Sequence, residues 1–382
     1  MESSLTLFKT FFYALFTLVG TIIGVGFFAL PFVTAKVGIL TMLFYFLVLG
    51  IIVIIVHLLF AQIVVKTKGT HRLPGYAEIY LGNKGKIIAS ISSILGLYGA
   101  LLSYLIVGGS FINSLPLPFL SNSLLFSVFF FFCLGAIFIY FGISSIAKIE
   151  VLAFFLFLGA LFLILAEGQV FWNLKNLFNF QPSFFFLPYG VLLFSLWGAA
   201  LVPEVAEMLK RDKKLTKRAI TGAISLSAFI YLFFIILITG ICGEMTSKDA
   251  ISGLEYFFSD FILAILLSFG ILACFTSFIT LGLTLKKVFW YDFKMKRDIA
   301  WFLACFLPLF LYLLGVKDFI KVISIAGGIM LALDAILVIL IYLKLAEKES
   351  WGPRLAFRKY FLYFLILIFL LGILYEFIYG LR

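Results

Sequence analysis

Charge is what this sequence has least of. Of its 382 residues only 12% are charged, against roughly 25% in a soluble domain. Histidine is scarcer still, with His57 and His71 the only two. There is no H-E-x-x-H, no G-x-S-x-G and no pair of aspartates inside an apolar run, so an enzyme is not expected. The four cysteines (Cys133, Cys242, Cys274 and Cys305) sit within apolar runs and lack metal-ligand spacing. They read as packed thiols, and neither a disulfide framework nor a protein-bound metal is implied. A repeated filter sequence or polar pore periodicity, which a channel would carry, is missing as well. A substrate-sensing receptor stays open as a further class, although no appended soluble domain is present to pass on a signal.

What fills the chain instead is apolar sequence: 64% of residues are hydrophobic and the mean hydropathy is +1.21. The net charge of +11 does not point to nucleic acid, because no basic patch is interleaved with solvent-facing aromatics. Eleven runs are long enough to cross a bilayer. They cover about 10–35, 39–65, 87–114, 124–141, 149–166, 184–209, 219–242, 261–285, 299–314, 319–343 and 360–379. The first lacks a small-residue cleavage site and reads as a retained span. A short amphipathic segment, 75–81, precedes the third. The expectation is an all-α polytopic membrane protein of the cell membrane, with lipid as its surroundings. With a cytoplasmic N-terminus, 23 of the 29 Lys and Arg residues fall in inside connections, as the positive-inside rule requires.

The first run contains Gly20-Thr21-Ile22-Ile23-Gly24-Val25-Gly26 and then Pro31. Three glycines and a proline are poor helix formers, so an unwound point within the bilayer is expected. Non-helical backbone at that depth is tolerated where it lines a protein cavity or coordinates something, the usual binding device of secondary transporters. The ordinary alternative is that Gly20 and Gly24, four apart, make a small-xxx-small helix contact. The sixth run has a similar interruption, Phe194-Ser195-Leu196-Trp197-Gly198 followed by Val202-Pro203-Glu204. Two broken helices five spans apart suggest two five-span repeats, about 9–166 and 184–343, with an extra helix at about 360–379. Because five is odd, the second repeat is inverted and the two breaks meet near the midplane.

These segments, together with Thr276-Ser277-Phe-Ile-Thr-Leu-Gly282 in the eighth run, resemble amino acid permeases of the amino acid, polyamine and organocation superfamily. The likeness is closest to the aromatic amino acid permease and amino acid/auxin permease branch, and it covers nearly the whole chain. It implies a leucine-transporter-like fold, residues 1–382 as one transporter domain, and alternating access with an amino acid as cargo. The resemblance and Trp197 lean towards neutral amino acids, aromatic or branched.

An amino acid zwitterion needs two opposite partners. Backbone amides of Gly24, Val25 and Gly26, at the start of a half-helix, suit a carboxylate. Carbonyls around Thr21 and Ile22, with Phe194 and Ser195, suit an ammonium. Trp197 and Gly198 would border the side-chain pocket, with Trp197 equally able to be a packing residue. Tyr98 and Tyr104 are candidate walls that could as well be core. Two coupling ions are open. The resemblance implies sodium between spans one and eight, held by carbonyls of Gly20 and Ile23 and the hydroxyls of Thr276 and Ser277. Against it, Ser and Thr in membrane helices commonly bond their own preceding turn. Proton coupling needs a titratable group in the membrane, and Asp334, Glu204 and His57 are the candidates. The ordinary alternative for Asp334 is an ion pair with a cytoplasmic-side base, and Glu204 with Glu207 reads as a gate or a loop anchor near the inner end. The absence of a mid-span lysine in the fifth run, where only Lys148 stands at the mouth, leans towards sodium.

Overall fold

The computed structural model of the chain describes residues 4–69, 71–115, 123–142, 146–348 and 354–380. Every regular element among them is helical, as expected where lipid offers no partner for backbone N–H and C=O groups. In chain order the α-helices are α1 (Ser4–Ile22), α2 (Gly26–Lys66), α3 (Leu73–Asn113), α4 (Leu124–Phe141), α5 (Ile146–Gly168), α6 (Pro188–Ser195) and α7 (Val202–Met208). They continue with α8 (Lys213–Cys242), α9 (Asp260–Lys287), α10 (Arg297–Leu313), α11 (Phe319–Ile325), α12 (Ala332–Lys348) and α13 (Arg354–Tyr375). A π-helical segment, Ala326–Leu331, joins α11 to α12, and another, Glu376–Gly380, extends α13.

Eight stretches among the described residues are long and apolar enough to cross a membrane: Gly26–Lys66, Leu73–Asn113, Leu124–Phe141, Pro188–Met208, Lys213–Met245, Asp260–Tyr291, Phe319–Lys348 and Lys359–Gly380. Phe8–Ile22 and Leu158–Gly168 are shorter apolar helices, and α10 has 17 residues. The expected turn at 115–118 lies mostly outside the described residues, as does the side chain of Lys148.

Two glycines bend helices that the backbone otherwise runs through. Gly38, with φ 76°, turns α2 between the end of the first apolar run and the second. A Cβ there would stand 2.9 Å from the Asn179 carbonyl, and positive φ already favours glycine. Gly82, with φ 73°, separates the amphipathic start of α3 from its membrane part, which agrees with the segment expected at 75–81.

The breaks are sharper than the sequence suggested. In the first run the helix stops at Ile22 and restarts at Gly26, so only Ile23, Gly24 and Val25 are unwound. Gly20 and Thr21 are in the last turn of α1. Pro31 lies inside α2 and breaks nothing. In the sixth run the gap is Leu196, Trp197 and Gly198, followed by a 3₁₀ turn, Ala199–Leu201. Pro203 falls in the first turn of α7, where a missing N–H leaves no bond unmade.

Around the breaks α2 packs on α8 and α6, α3 on α9, α4 and α12, and α6 on the π segment 326–331. α13 lies outermost, with Tyr360, Phe364, Leu371 and Phe377 exposed. Lipid is the natural cover for that surface.

Candidate functional site

The two breaks touch each other crosswise. A Cβ on Gly26, the first residue of α2, would stand 2.6 Å from Ser195 Oγ and 2.8 Å from Phe194 Cδ1, at the end of α6. A Cβ on Gly198 would stand 2.8 Å from Ile22 Cγ1 and 2.9 Å from Leu18 Cδ1, at the end of α1. Gly26, which follows the first break, and Gly198, which ends the second, therefore each lie against the residues before the other break. Gly24 is equally tight, its missing Cβ replaced by the Tyr104 hydroxyl. Gly20 is different: a Cβ there would meet nothing within 4 Å. The close helix contact that would explain Gly20 and Gly24 as a packing pair is thus present only at Gly24.

The sequence-predicted binding residues Thr21, Ile22, Gly24, Val25, Gly26, Phe194, Ser195, Trp197 and Gly198 all lie at or beside this junction. Their hydrogen bonds divide by sign. On the donor side, the Val25 N–H donates to the Tyr104 hydroxyl at 3.1 Å, and the Gly24 N–H donates to the Ile22 carbonyl at 2.8 Å. On the acceptor side, one hydroxyl serves both breaks: Tyr231 on α8 donates to the carbonyl of Ile22 at 2.6 Å and to that of Ser195 at 2.9 Å. The Phe194 carbonyl accepts from the Trp197 N–H at 3.3 Å. Thr21 turns its hydroxyl back onto the Thr17 carbonyl at 3.1 Å.

His57 reaches the second break from α2. Its Nε2 accepts the Gly198 N–H at 3.0 Å, and its Nδ1 lies 2.8 Å from the Val53 carbonyl. A carbonyl only accepts, so those two partners specify the tautomer with the proton on Nδ1. Both nitrogens of this fully buried ring are then engaged. Trp197 packs edge-on against it, with centroids 5.0 Å apart and planes at 72°. A further proton on Nε2 would displace the Gly198 cap.

The oxygen cage expected between spans one and eight is not closed by hydrogen bonds. Thr276 donates to the Ala273 carbonyl of its own helix at 3.1 Å, and Thr280 and Thr284 repeat that back-bonding one turn on. No hydrogen bond among the described residues joins Thr276 or Ser277 to Gly20 or Ile23. The titratable candidates separate clearly. Glu204 pairs with Arg72 at 3.7 Å, tying α7 to the connection before α3, which is the loop-anchor role. Asp334, 6% exposed, accepts from the Ser92 hydroxyl across α12 and α3. The ion pair expected there is absent: no Lys, Arg or His among the described residues bonds to Asp334.

Three residues escaped the sequence. Tyr231 is one of 17 tyrosines and carries no local signal. Tyr104 was weighed only as a wall, whereas its hydroxyl binds the first break. Tyr98, by contrast, bonds the Leu303 carbonyl at 3.1 Å and belongs to the core. Glu376 was findable, being the only acid in the run 360–379. It is 1% exposed and accepts from the Ser324 hydroxyl at 2.8 Å. A cleft of about 450 Å³ lies away from the breaks, bounded by Leu58, Gln62, Lys213, Thr216, Tyr342 and Phe361. It holds none of the residues at the junction.

The chain resembles known proteins over most of its length. Residues 8–376 match the tryptophan/tyrosine permease family. The chain is 25% identical over 360 residues to Glutamine transporter 2 of Aliivibrio fischeri, covering 90% of this chain and 91% of that protein. It is 31% identical over 147 residues to Tyrosine-specific transport system 1 of Haemophilus influenzae, covering 38% and 36%. Two solved structures share the fold. One is MhsT in complex with L-phenylalanine, with a TM-score of 0.63, 15% identity, and coverage of 96% of this chain and 97% of that one. The other is the nucleobase-cation-symport-1 family transporter Mhp1, closed with bromovinylhydantoin bound, with a TM-score of 0.62, 12% identity, and coverage of 97% and 92%. Both are transporters of the leucine-transporter-like fold.

Proposed function

The chain belongs to the tryptophan/tyrosine permease family, and we propose that it carries amino acids across the membrane at the junction of its two breaks. It is a multi-pass protein of the plasma membrane and a permease, not an enzyme. The observation that carries the proposal is the meeting, at that junction, of the amides that open α2 with the carbonyls that end α1 and α6. The amides of Gly24, Val25 and Gly26 suit a carboxylate once Gly24 and Val25 exchange their present acceptors, and the carbonyls of Ile22 and Ser195, which converge on the Tyr231 hydroxyl, suit an ammonium. The names of the relatives suggest neutral cargo, aromatic or glutamine-like.

Because Gly26 and Gly198 already touch the opposite break, cargo fits only when the breaks part, and alternating access follows. The crosswise contacts suit two inverted repeats, about 9–166 and 184–343, within eleven spans and with a cytoplasmic N-terminus. For the coupling ion the geometry favours a proton carried by Asp334, a buried acid whose bonded partner is a serine and not a base. Sodium is the second reading. Its support is the open space beside Gly20 and the Ser277 hydroxyl, which makes no hydrogen bond to a described residue.

Counterflow in proteoliposomes tests the zwitterion site. Labelled phenylalanine, tyrosine, tryptophan and glutamine are exchanged against unlabelled amino acid, its methyl ester and its N-acetyl derivative. Competition by the free amino acid alone is expected. Equal competition by the ester or the N-acetyl form would contradict the assignment.

A further inference from the structure

The carbonyls that end α1 and α6 point at one hydroxyl. A helix C-terminus carries roughly half a negative charge, and two such ends converge where Ile22 O and Ser195 O lie 2.6 and 2.9 Å from Tyr231 Oη. Left alone, two partial negative charges facing each other out of water would repel, and the natural remedy is a positive ion. Here the remedy is a hydrogen-bond donor carried by the protein itself. A phenol has a single O–H to give, and both carbonyls share it. The ring is fixed in place: Tyr231 is fully buried, stacks on Phe27 at 6.1 Å with planes at 15°, and Phe27 in turn packs on Phe234 at 4.4 Å. Nothing in that packing lets the hydroxyl swing away.

We propose that the junction of the two half-helices is a monovalent-cation site whose ion has been replaced by the Tyr231 hydroxyl. The hydroxyl ties the two breaks to each other in this closed arrangement without an ion. It leaves the second lone pair of the Ser195 carbonyl, and its own oxygen, as acceptors for an ammonium, since the Ile22 carbonyl also accepts the Gly24 N–H. This rests on the placement of three oxygens and goes beyond the identity of the cargo. The prediction is that removing the hydroxyl uncovers the ion site.

The test is thermal unfolding of the full-length, detergent-solubilised protein without amino acid, in choline, sodium, lithium and potassium chloride at equal ionic strength. Wild type should melt at the same temperature in sodium as in choline. Tyr231→Phe, which keeps the ring and its stacking, should melt several degrees lower in choline and recover in a saturable way with sodium or lithium. In proteoliposomes the same variant should gain a sodium requirement of at least tenfold. Melting of Tyr231→Phe that is independent of the cation would overturn the proposal. So would a variant that fails to fold in every salt, since the ion should then have rescued it. Melting without amino acid does not depend on transport, so failure of the cargo assignment would leave this result standing.

Discussion

His57 caps the second break by accepting the Gly198 N–H at 3.0 Å. An imidazole with both nitrogens occupied is a structural acceptor, and it makes the unwound segment at depth affordable in backbone terms. His57→Ala strands a buried N–H, which costs about 1–3 kcal/mol, and should lower the melting temperature and uptake together. His57→Gln restores an acceptor and should recover part of both. Because the ring is no proton carrier in this arrangement, the pH profile of uptake in His57→Gln should match that of wild type.

The glycines should separate by the space beside them. Gly26→Val must push into Ser195 and Phe194, and overpacking of this kind costs about 1–3 kcal/mol. It should abolish uptake while membrane insertion, read by expression and protease protection, stays normal. Gly20→Ala has open space before it and should keep uptake within about twofold, the ±0.5 kcal/mol expected of an unobstructed site. Normal uptake by Gly26→Val would contradict the proposed junction.

Asp334→Asn keeps an acceptor for the Ser92 hydroxyl but cannot exchange a proton. It should lose accumulation driven by a proton gradient while retaining counterflow, the sign of a carrier uncoupled from its ion. Accumulation equal to wild type would move the coupling ion to Gly20, Ile23, Thr276 and Ser277.

Outside the membrane, Lys248 donates to Asp318 at 2.7 Å, joining the connection after α8 to the start of α11. Burial would raise the Asp318 carboxyl, but the hydrogen bonds from Lys248 and from the amides of Lys321 and Ile320 outweigh it and hold the group below its ordinary value of 3.8. A depressed carboxyl stabilises the fold above its unfolded range, and that contribution is lost as pH falls through the lower, folded value. Asp318→Asn should therefore melt slightly below wild type at pH 7, and the gap should narrow as the medium is acidified below the ordinary carboxylate range.

Much of this was legible because clustered glycines weaken a helix and charge is costly in a membrane. Gly24, Gly26 and Gly198 marked the breaks, the sparse charges marked the ends of spans, and run 124–141 coincides with α4. One proline misled. Pro203 stands in the first turn of α7, where proline usually marks a helix start, but Pro31 sits inside α2, so the first unwound segment is shorter than expected. The Thr276 hydroxyl donates within its own turn, which local spacing allows but does not fix, and its lone pairs stay available to a cation. Tyr231 was illegible, since its role is set by α8 packing against two distant half-helices and leaves no trace in local spacing. His57 stood among the candidate proton carriers, and the bond that its second nitrogen accepts from Gly198 is not visible in local spacing.

The central claim is that this chain moves amino acids with an ion gradient. Its most direct measurement is uptake of labelled phenylalanine, tyrosine, tryptophan, glutamine and leucine into proteoliposomes, with proton and sodium gradients imposed one at a time. Saturable accumulation of one or more neutral amino acids under the proton gradient, collapsing with an uncoupler and absent in Asp334→Asn, is the predicted result. No accumulation of any amino acid under either gradient, from protein shown to be folded and inserted, would contradict it.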